Sequence, residues 1–399
     1  MVAEGRTLTY AELHRRADQL ARRLAVTPGA RVPTTLPPGL SFCELLHALP
    51  RLGGVLVPLD PDGPAAPQPP LGPAQDRSLL DEIDPGAVHT VIHTSGTTGE
   101  PRAVELTYAN HLASAIASAD ALGVEADDRW LCPLPLHHVA GLNVLIRSAI
   151  NRTTAVLHPR FEVERVRAAL EEGELTLASL VPTMLQRLRD AGLRRVPRLR
   201  AIALGGGPIP PGLLEWAADS GIPVVPVYGM TETCSQVVAG SPGRPLRGVE
   251  LRLADDGEIL IRGPMVAPQS LGEDGWLHTG DLGRLDREGL LHVQGRTKEL
   301  IVTGGENVAP LEVERVLASH PRVMEAAVAG VPDPEWGEAI VAFVVLRSAV
   351  APEELRAWCR ERLTPFKVPK SFRTVTELPR NQTGKLMRDR LDSLASAPP

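Results

Sequence analysis

Between residues 91 and 107 the chain reads VIHTSGTTGEPRAVELT, with Thr94, Ser95, Thr97 and Thr98 gathered around Gly96 and Gly99. Glycine costs backbone entropy in regular structure, and small hydroxylated residues bond to their own backbone, so the segment is a poor helix and a poor strand. Two glycines let successive N–H groups point into one concavity, and the hydroxyls add donors that turn to suit an occupant; together they make an anion cradle. The run VIHT suits a buried strand and LTYANHLASAIASADAL has helical composition. Strand, small-residue loop and helix is the order in which phosphate-binding loops occur. An ordinary serine- and threonine-rich turn is the competing reading. No Gly-Lys-Ser/Thr follows at Walker A spacing, and no dinucleotide fingerprint is present.

Other segments carry chemistry of the same kind. LGGGPIPP (204–211) puts Gly205, Gly206 and Gly207 directly after a strand, where backbone can approach a flat ligand, although a plain strand-to-helix turn reads the same way. VYGMTETCSQ (227–236) offers Tyr228 to stack on a base, Thr231 to bond a phosphate and Glu232 to hold Mg²⁺. GWLHTGDLG (275–283) presents Asp281 in a glycine-bounded turn, able to accept two hydroxyl protons from a ribose. Each of these alone is more often structural. GRTKELIVTGGENVAPLEVE (295–314) pairs charges with the Gly304–Gly305 turn, and LPRNQTGKLMRDRL (378–391) sets Lys385 after a Thr-Gly turn.

The elements that must position these residues follow from periodicity. LTYAELHRRADQLARRL (8–24) has apolar residues at helical spacing. From about residue 77 to 230, strand-like runs (TVIHT, TAVLHP, LASLVP, LRAIALG, PVVPVYG) alternate with helical ones, which predicts an α/β domain with mainly parallel sheets. From 249 to 295, Asp-Gly and Glu-Gly turns join short strands into a small antiparallel β region. Beyond Gly295 an α+β unit is expected, with helices over 310–319 and 352–363 and strands near VMEAAVAGV and AIVAFVVL. A boundary near residue 296 divides the chain into 1–296 and 297–399.

Composition bounds the partners. At 399 residues and 43% hydrophobic the chain can bury a substantial core, and a net charge of −6 without basic tracts argues against a general nucleic-acid binder. No apolar stretch approaches the ~20 residues that span a bilayer, and the start lacks a signal-peptide pattern, so a cytoplasmic location without membrane insertion is expected. The four cysteines are far apart and read as buried thiols. Of 42 basic residues only Lys298, Lys367, Lys370 and Lys385 are lysine, all late in the chain, which suggests positions where a compact point charge is wanted.

In this order and spacing the segments resemble the acyl-adenylate-forming superfamily, which includes acyl- and aryl-CoA synthetases, peptide-synthetase adenylation domains and luciferases. The resemblance runs from TYAEL to TGK, and it implies an N-terminal AMP-binding domain (1–296) with a small mobile C-terminal domain (297–399). It assigns Thr94 to Gly99 to the β- and γ-phosphates of ATP. It sets Gly205 to Gly207 and Tyr228 beside adenine, Thr231 and Glu232 at the α-phosphate and Mg²⁺, and Asp281 and Arg296 at the ribose. Lys298 becomes the hinge and Lys385 the lysine that reaches the reacting carboxylate. Gly304, Gly305 and Glu306 then approach along the pantetheine path of coenzyme A in the second step.

Within the superfamily, PLHHVAGLNVLIRSAI, VPTMLQRL and YGMTETCSQ are most similar to the o-succinylbenzoate–CoA ligases of menaquinone synthesis. That likeness implies an ATP-dependent acid–thiol ligase working through an acyl-adenylate. His138 is assigned to the catalytic pocket as part of its wall, and Arg147 is a candidate partner for a second substrate carboxylate, with a structural arginine the competing reading. A ligase for another aryl or medium-chain acid and a non-catalytic nucleotide-binding protein stay open as alternatives. The expected partners are a carboxylate, ATP and coenzyme A, with a homodimer the one assembly to allow for. Two departures stand out: Arg102 and Ala103 replace the usual lysine and glycine after the phosphate loop, and the region before residue 90 is short, implying a trimmed N-terminal subdomain.

Overall fold

The computed structural model describes residues 1–64, 66, 71–74, 78–94, 102–210, 212–380 and 386–391. The helix Tyr10–Ala21 starts where Thr9 and Glu12 cap each other's backbone N–H groups, and it buries Leu13, Ala17 and Ala21 on one face.

A thirteen-stranded sheet carries most of the chain. In its parallel half Val224–Met230 pairs with Ala201–Leu204, which is followed across the sheet by Leu177–Leu180, Arg129–Cys132 and Thr154–Leu157. Ala201–Leu204 and Leu177–Leu180 are buried at every position. Strands covered by helices on both faces have this near-continuous apolar character. The remaining strands beyond Val224–Met230 are antiparallel, through Ser235–Gly240, Gly243–Pro245, Leu291–Arg296, Leu277–Leu285, Glu258–Arg262 and Glu250–Leu253.

The change of direction therefore falls at Met230 rather than near 249. Cys234 and Ser235 both take left-handed φ values (49° and 85°) and fold the chain back against Val224–Met230. Gly229 is where the two runs touch, because a Cβ there would lie 2.0 Å from the Ser235 carbonyl oxygen. No side chain fits that approach.

A second sheet holds Arg31–Thr34, Val55–Pro58, Val88–Thr94 and Arg102–Thr107. The last two form an antiparallel hairpin closed by Thr94 opposite Arg102. This corrects the expected strand–loop–helix order: RAVELT is a strand, and the helix Tyr108–Leu122 begins only after it. That helix is capped by its own Thr107 and Asn110, so its N-terminus does not supply the anion cradle.

Beyond Arg296 the chain builds its own five-stranded sheet and its own apolar cores, one around Ile301, Val308, Val328 and Ile340, another around Phe343, Val345, Leu378 and Leu391. The helices there span Pro310–Ala318 and Pro352–Arg360. Among the described residues no helix is long and apolar enough to cross a membrane.

Candidate functional site

The antiparallel half of the large sheet brings three of the singled-out residues together. Asp281 pairs in register with Arg296 on the neighbouring strand, and Arg296 Nε lies 2.8 Å from Asp281 Oδ1. The Tyr228 hydroxyl donates to Asp281 Oδ2 at 2.8 Å. Asp281 is 5% exposed. Burial pushes its carboxyl pKa up, against the opposing pull of the Arg296 guanidinium and the Tyr228 hydroxyl. Burial, reinforced by the Asp281 charge, raises the Tyr228 hydroxyl. The result is a buried carboxylate on the antiparallel strand Leu277–Leu285, held by one donor on each oxygen and reached by Tyr228 from near the end of the last parallel strand. Ligands in open α/β sheets gather at that end.

The glycines divide by environment. A Cβ at Gly205 would meet the Val227 carbonyl oxygen at 2.8 Å, so this residue is small because strands pack there. Gly206 has φ +83°, and only Gly207 faces open space. Gly304 and Gly305 both have positive φ and join Ile301–Thr303 to Glu306–Val308 in a two-residue turn, the conformation that favours glycine. Gly304 also packs against Trp336, over whose ring Lys370 Nζ sits at 3.8 Å.

Thr231 and Glu232 lie in the short turn Thr231–Thr233 at the end of Val224–Met230. Cys234 N–H closes that turn onto the Thr231 carbonyl at 3.0 Å, and Ala267 N–H donates to the Glu232 carbonyl at 2.8 Å. Left-handed backbone at two successive non-glycine residues costs on the order of 1–2 kcal/mol each. The Cys234 carbonyl compensates by accepting from both Asn143 Nδ2 and Ser114 Oγ, each at 2.8 Å. The Glu232 side chain is half-buried and makes no ion pair among the described residues. Among the described residues no group of three His, Cys, Asp or Glu could hold a metal ion by itself. One free carboxylate fits an Mg²⁺ that arrives on phosphates, since that ion keeps waters and takes few protein ligands.

Behind this turn lies a buried polar cluster of which the sequence reading had singled out only Arg147. His111 Nε2 is 3.0 Å from Thr90 Oγ and His111 Nδ1 is 2.9 Å from Asn143 Oδ1. Arg147 is 3% exposed; its Nη2 donates to Ser114 Oγ at 2.8 Å and its Nη1 to Gln236 Oε1 at 3.4 Å. Its Nε has no hydrogen-bond partner, and no carboxylate among the described residues pairs with it. Burial pulls its pKa down to about 10. The available signal was a polar stripe, Asn110, His111, Ser114 and Ser118, on one face of an otherwise alanine-rich helix.

His138 precedes the helix Val139–Asn151 and makes no capping bond; its ring lies 4.3 Å from that of His137. Burial, helped by His137, holds its pKa at about 4. Thr94 Oγ donates to the Arg102 carbonyl at 3.2 Å. Ser95, Gly96, Thr97, Thr98, Gly99 and Lys385 lie outside the described residues. The segment carrying Lys385 is flanked by the paired Arg380 and Leu386. Arg388 then bonds Glu299, beside Lys298, at 2.8 Å and Glu314 at 2.6 Å.

The large mixed α/β sheet thus carries a Tyr–Asp–Arg group centred on the buried Asp281. The AMP-binding enzyme family matches residues 1–68 and 65–270, and the AMP-binding enzyme C-terminal domain matches 312–385. The chain belongs to the AMP-binding enzyme family. It is 37% identical to a 2-succinylbenzoate–CoA ligase of Bacillus cereus over 454 residues, which covers 98% of this chain and 94% of that one. It is similar to the o-succinylbenzoate CoA synthetase of Bacillus subtilis in complex with the acyl-adenylate intermediate (TM-score 0.87, 36% identity, 97% and 94% covered). The same synthetase in complex with ATP and magnesium matches at TM-score 0.84, 36% identity, over 97% and 95%.

Proposed function

We propose that the chain is an ATP-dependent, AMP-forming acid–CoA ligase that converts o-succinylbenzoate to o-succinylbenzoyl-CoA, a step of menaquinone synthesis, through an acyl-adenylate. The observation that carries the choice of acid is Arg147: a buried guanidinium that, among the described residues, is bonded only to a hydroxyl and an amide, with no carboxylate paired to it. A buried cation without an anion is costly, so the position suits a substrate that brings one. o-Succinylbenzoate has two carboxylates, one to react and one to remain. The similar 2-succinylbenzoate–CoA ligases point the same way.

On this reading the chain divides at 296/297, with Lys298 as the hinge. The substrate carboxylate attacks the α-phosphorus of ATP, and the bond to pyrophosphate breaks. The protein's task is to bring two anions together, for which Lys385 and the N–H groups of residues 94–99 are the cationic and polar groups. Asp281 and Arg296 orient the ribose, Tyr228 flanks adenine and Thr231 bonds the α-phosphate. Mg²⁺ at Glu232 would neutralise phosphate charge. The small domain then turns, Gly304 and Gly305 line the approach of coenzyme A, and its thiolate attacks the acyl carbonyl with AMP as leaving group. The partners are small molecules in the cytoplasm, with neither nucleic acid nor membrane involved.

The test is pyrophosphate release across a panel of acids. o-Succinylbenzoate should give a kcat/KM at least tenfold above benzoate and hexanoate; a better rate with either would overturn the choice of acid.

A further inference from the structure

The buried cluster behind the Thr231–Thr233 turn has a direction. Asn143 Nδ2 donates to the Cys234 carbonyl, so the Asn143 Oδ1 faces His111 Nδ1 as an acceptor. His111 must therefore carry its proton on Nδ1, which leaves Nε2 to accept from the Thr90 hydroxyl. The chain of donors runs Thr90, His111, Asn143, Cys234 carbonyl. Thr90, Asn143 and His111 are at most 1% exposed, so the chain of donors is closed to bulk water.

Its two ends are informative. Thr90 lies on Val88–Thr94, the strand whose end is Thr94. The Cys234 carbonyl lies in the left-handed corner that directly follows Thr231 and Glu232, and the same residue's N–H closes their turn. The two backbone segments belong to different sheets, and among the described residues no strand ladder ties one to the other. We propose that His111 is a positioning residue for ATP: through Thr90 and Asn143 it sets the spacing between the strand leading into the 94–99 loop and the turn bearing Thr231 and Glu232.

This rests on the reading that those two segments grip the phosphates, so the test includes a check of that reading. Thr90→Val keeps volume and β-branching and removes only the hydroxyl; His111→Ala removes the link itself. Steady-state kinetics of pyrophosphate release are measured for both, for the double variant and for Glu232→Gln, with a thermal melt of each. The proposal predicts that KM for MgATP rises about tenfold in His111→Ala and about threefold in Thr90→Val. KM for the acid should stay within about twofold, and thioester formation from supplied acyl-adenylate should be unchanged. Adding Thr90→Val to His111→Ala should cost nothing further, because one link is already gone. If His111→Ala does not fold, Thr90→Val carries the test. A lowered melting temperature with unchanged KM for MgATP would overturn the proposal and leave His111 as core packing. Equal rises in KM for MgATP and acid would also overturn it. If Glu232→Gln leaves KM for MgATP unchanged, the phosphate assignment of the turn fails and the proposal falls with it; a rise with Glu232→Gln but not with the His111 and Thr90 variants sinks the relay alone.

Discussion

Tyr228 and Arg296 reach the same carboxylate from opposite sides, the Tyr228 hydroxyl 2.8 Å from Asp281 Oδ2 and the Arg296 Nε 2.8 Å from Asp281 Oδ1. Each oxygen keeps a lone pair for a further donor, which is the arrangement a pair of vicinal hydroxyls would meet. Asp281→Asn preserves shape and removes the charge. KM for ATP should rise at least about tenfold, as expected where a buried charged acceptor is lost, while KM for the acid stays within about twofold. Steady-state kinetics with each substrate varied decide it.

Arg147→Met keeps the stem and deletes the unpaired guanidinium. KM for o-succinylbenzoate should rise about 10²-fold, the scale of a lost buried charge pair, and activity with benzoate should not fall. Since Arg147 has no acid partner among the described residues, the variant should melt no lower than the parent. An unchanged KM for o-succinylbenzoate would remove Arg147 from substrate recognition.

Stability should fall on mild acidification. Burial holds His47 and His111 neutral, with pKa values about 4 against an ordinary value of 6.5, and His89 is pushed well below the latter. The groups facing His111 are His89, edge-on to its ring, Cys234 and Arg147. Below 6.5 the unfolded chain takes up protons that the folded chain refuses. The contribution is therefore whole above that pH and is lost as pH falls towards 4, by roughly 1.4 kcal/mol per pH unit for each such histidine. Urea unfolding at pH 7.5 and 5.5 should show the drop, and His111→Gln should shallow it. A flat profile between those values would contradict the assigned protonation.

Much of this was legible because it is local. The apolar spacing over residues 8–24 and the glycines at 304–305 announce a helix and a tight turn in one short stretch each. Asp281 and Tyr228 were singled out by type, yet the bond between them joins residues 53 apart in sequence and depends on sheet register. RAVELT was passed over because its alternation, Val104-Glu105-Leu106-Thr107, is only four residues long and runs directly into the helix that follows. The turn of direction at Met230 escaped notice because it rests on left-handed Cys234 and Ser235, neither a residue type that signals such backbone. Apart from Arg147, the His111 cluster was invisible for a related reason: burial of polar groups is decided by what packs over the helix, not by the helix itself.

Lys385 offers a separation of the two half-reactions. A charge placed between the acid and the α-phosphate only during adenylation should be worth about 10²-fold or more in that step and little afterwards. Lys385→Ala should therefore lose pyrophosphate release and keep thioester formation from supplied acyl-adenylate. Lys385→Arg should restore little, since the wider planar group returns charge without the geometry. Equal losses in both halves would contradict the assigned role.

The most direct measurement omits coenzyme A. With o-succinylbenzoate, ATP and Mg²⁺ alone, the account predicts a burst of one pyrophosphate per active site and an equal amount of enzyme-bound o-succinylbenzoyl-AMP, which addition of coenzyme A converts to thioester and AMP. Release of pyrophosphate only after coenzyme A is added, or release of ADP and phosphate instead, would contradict it.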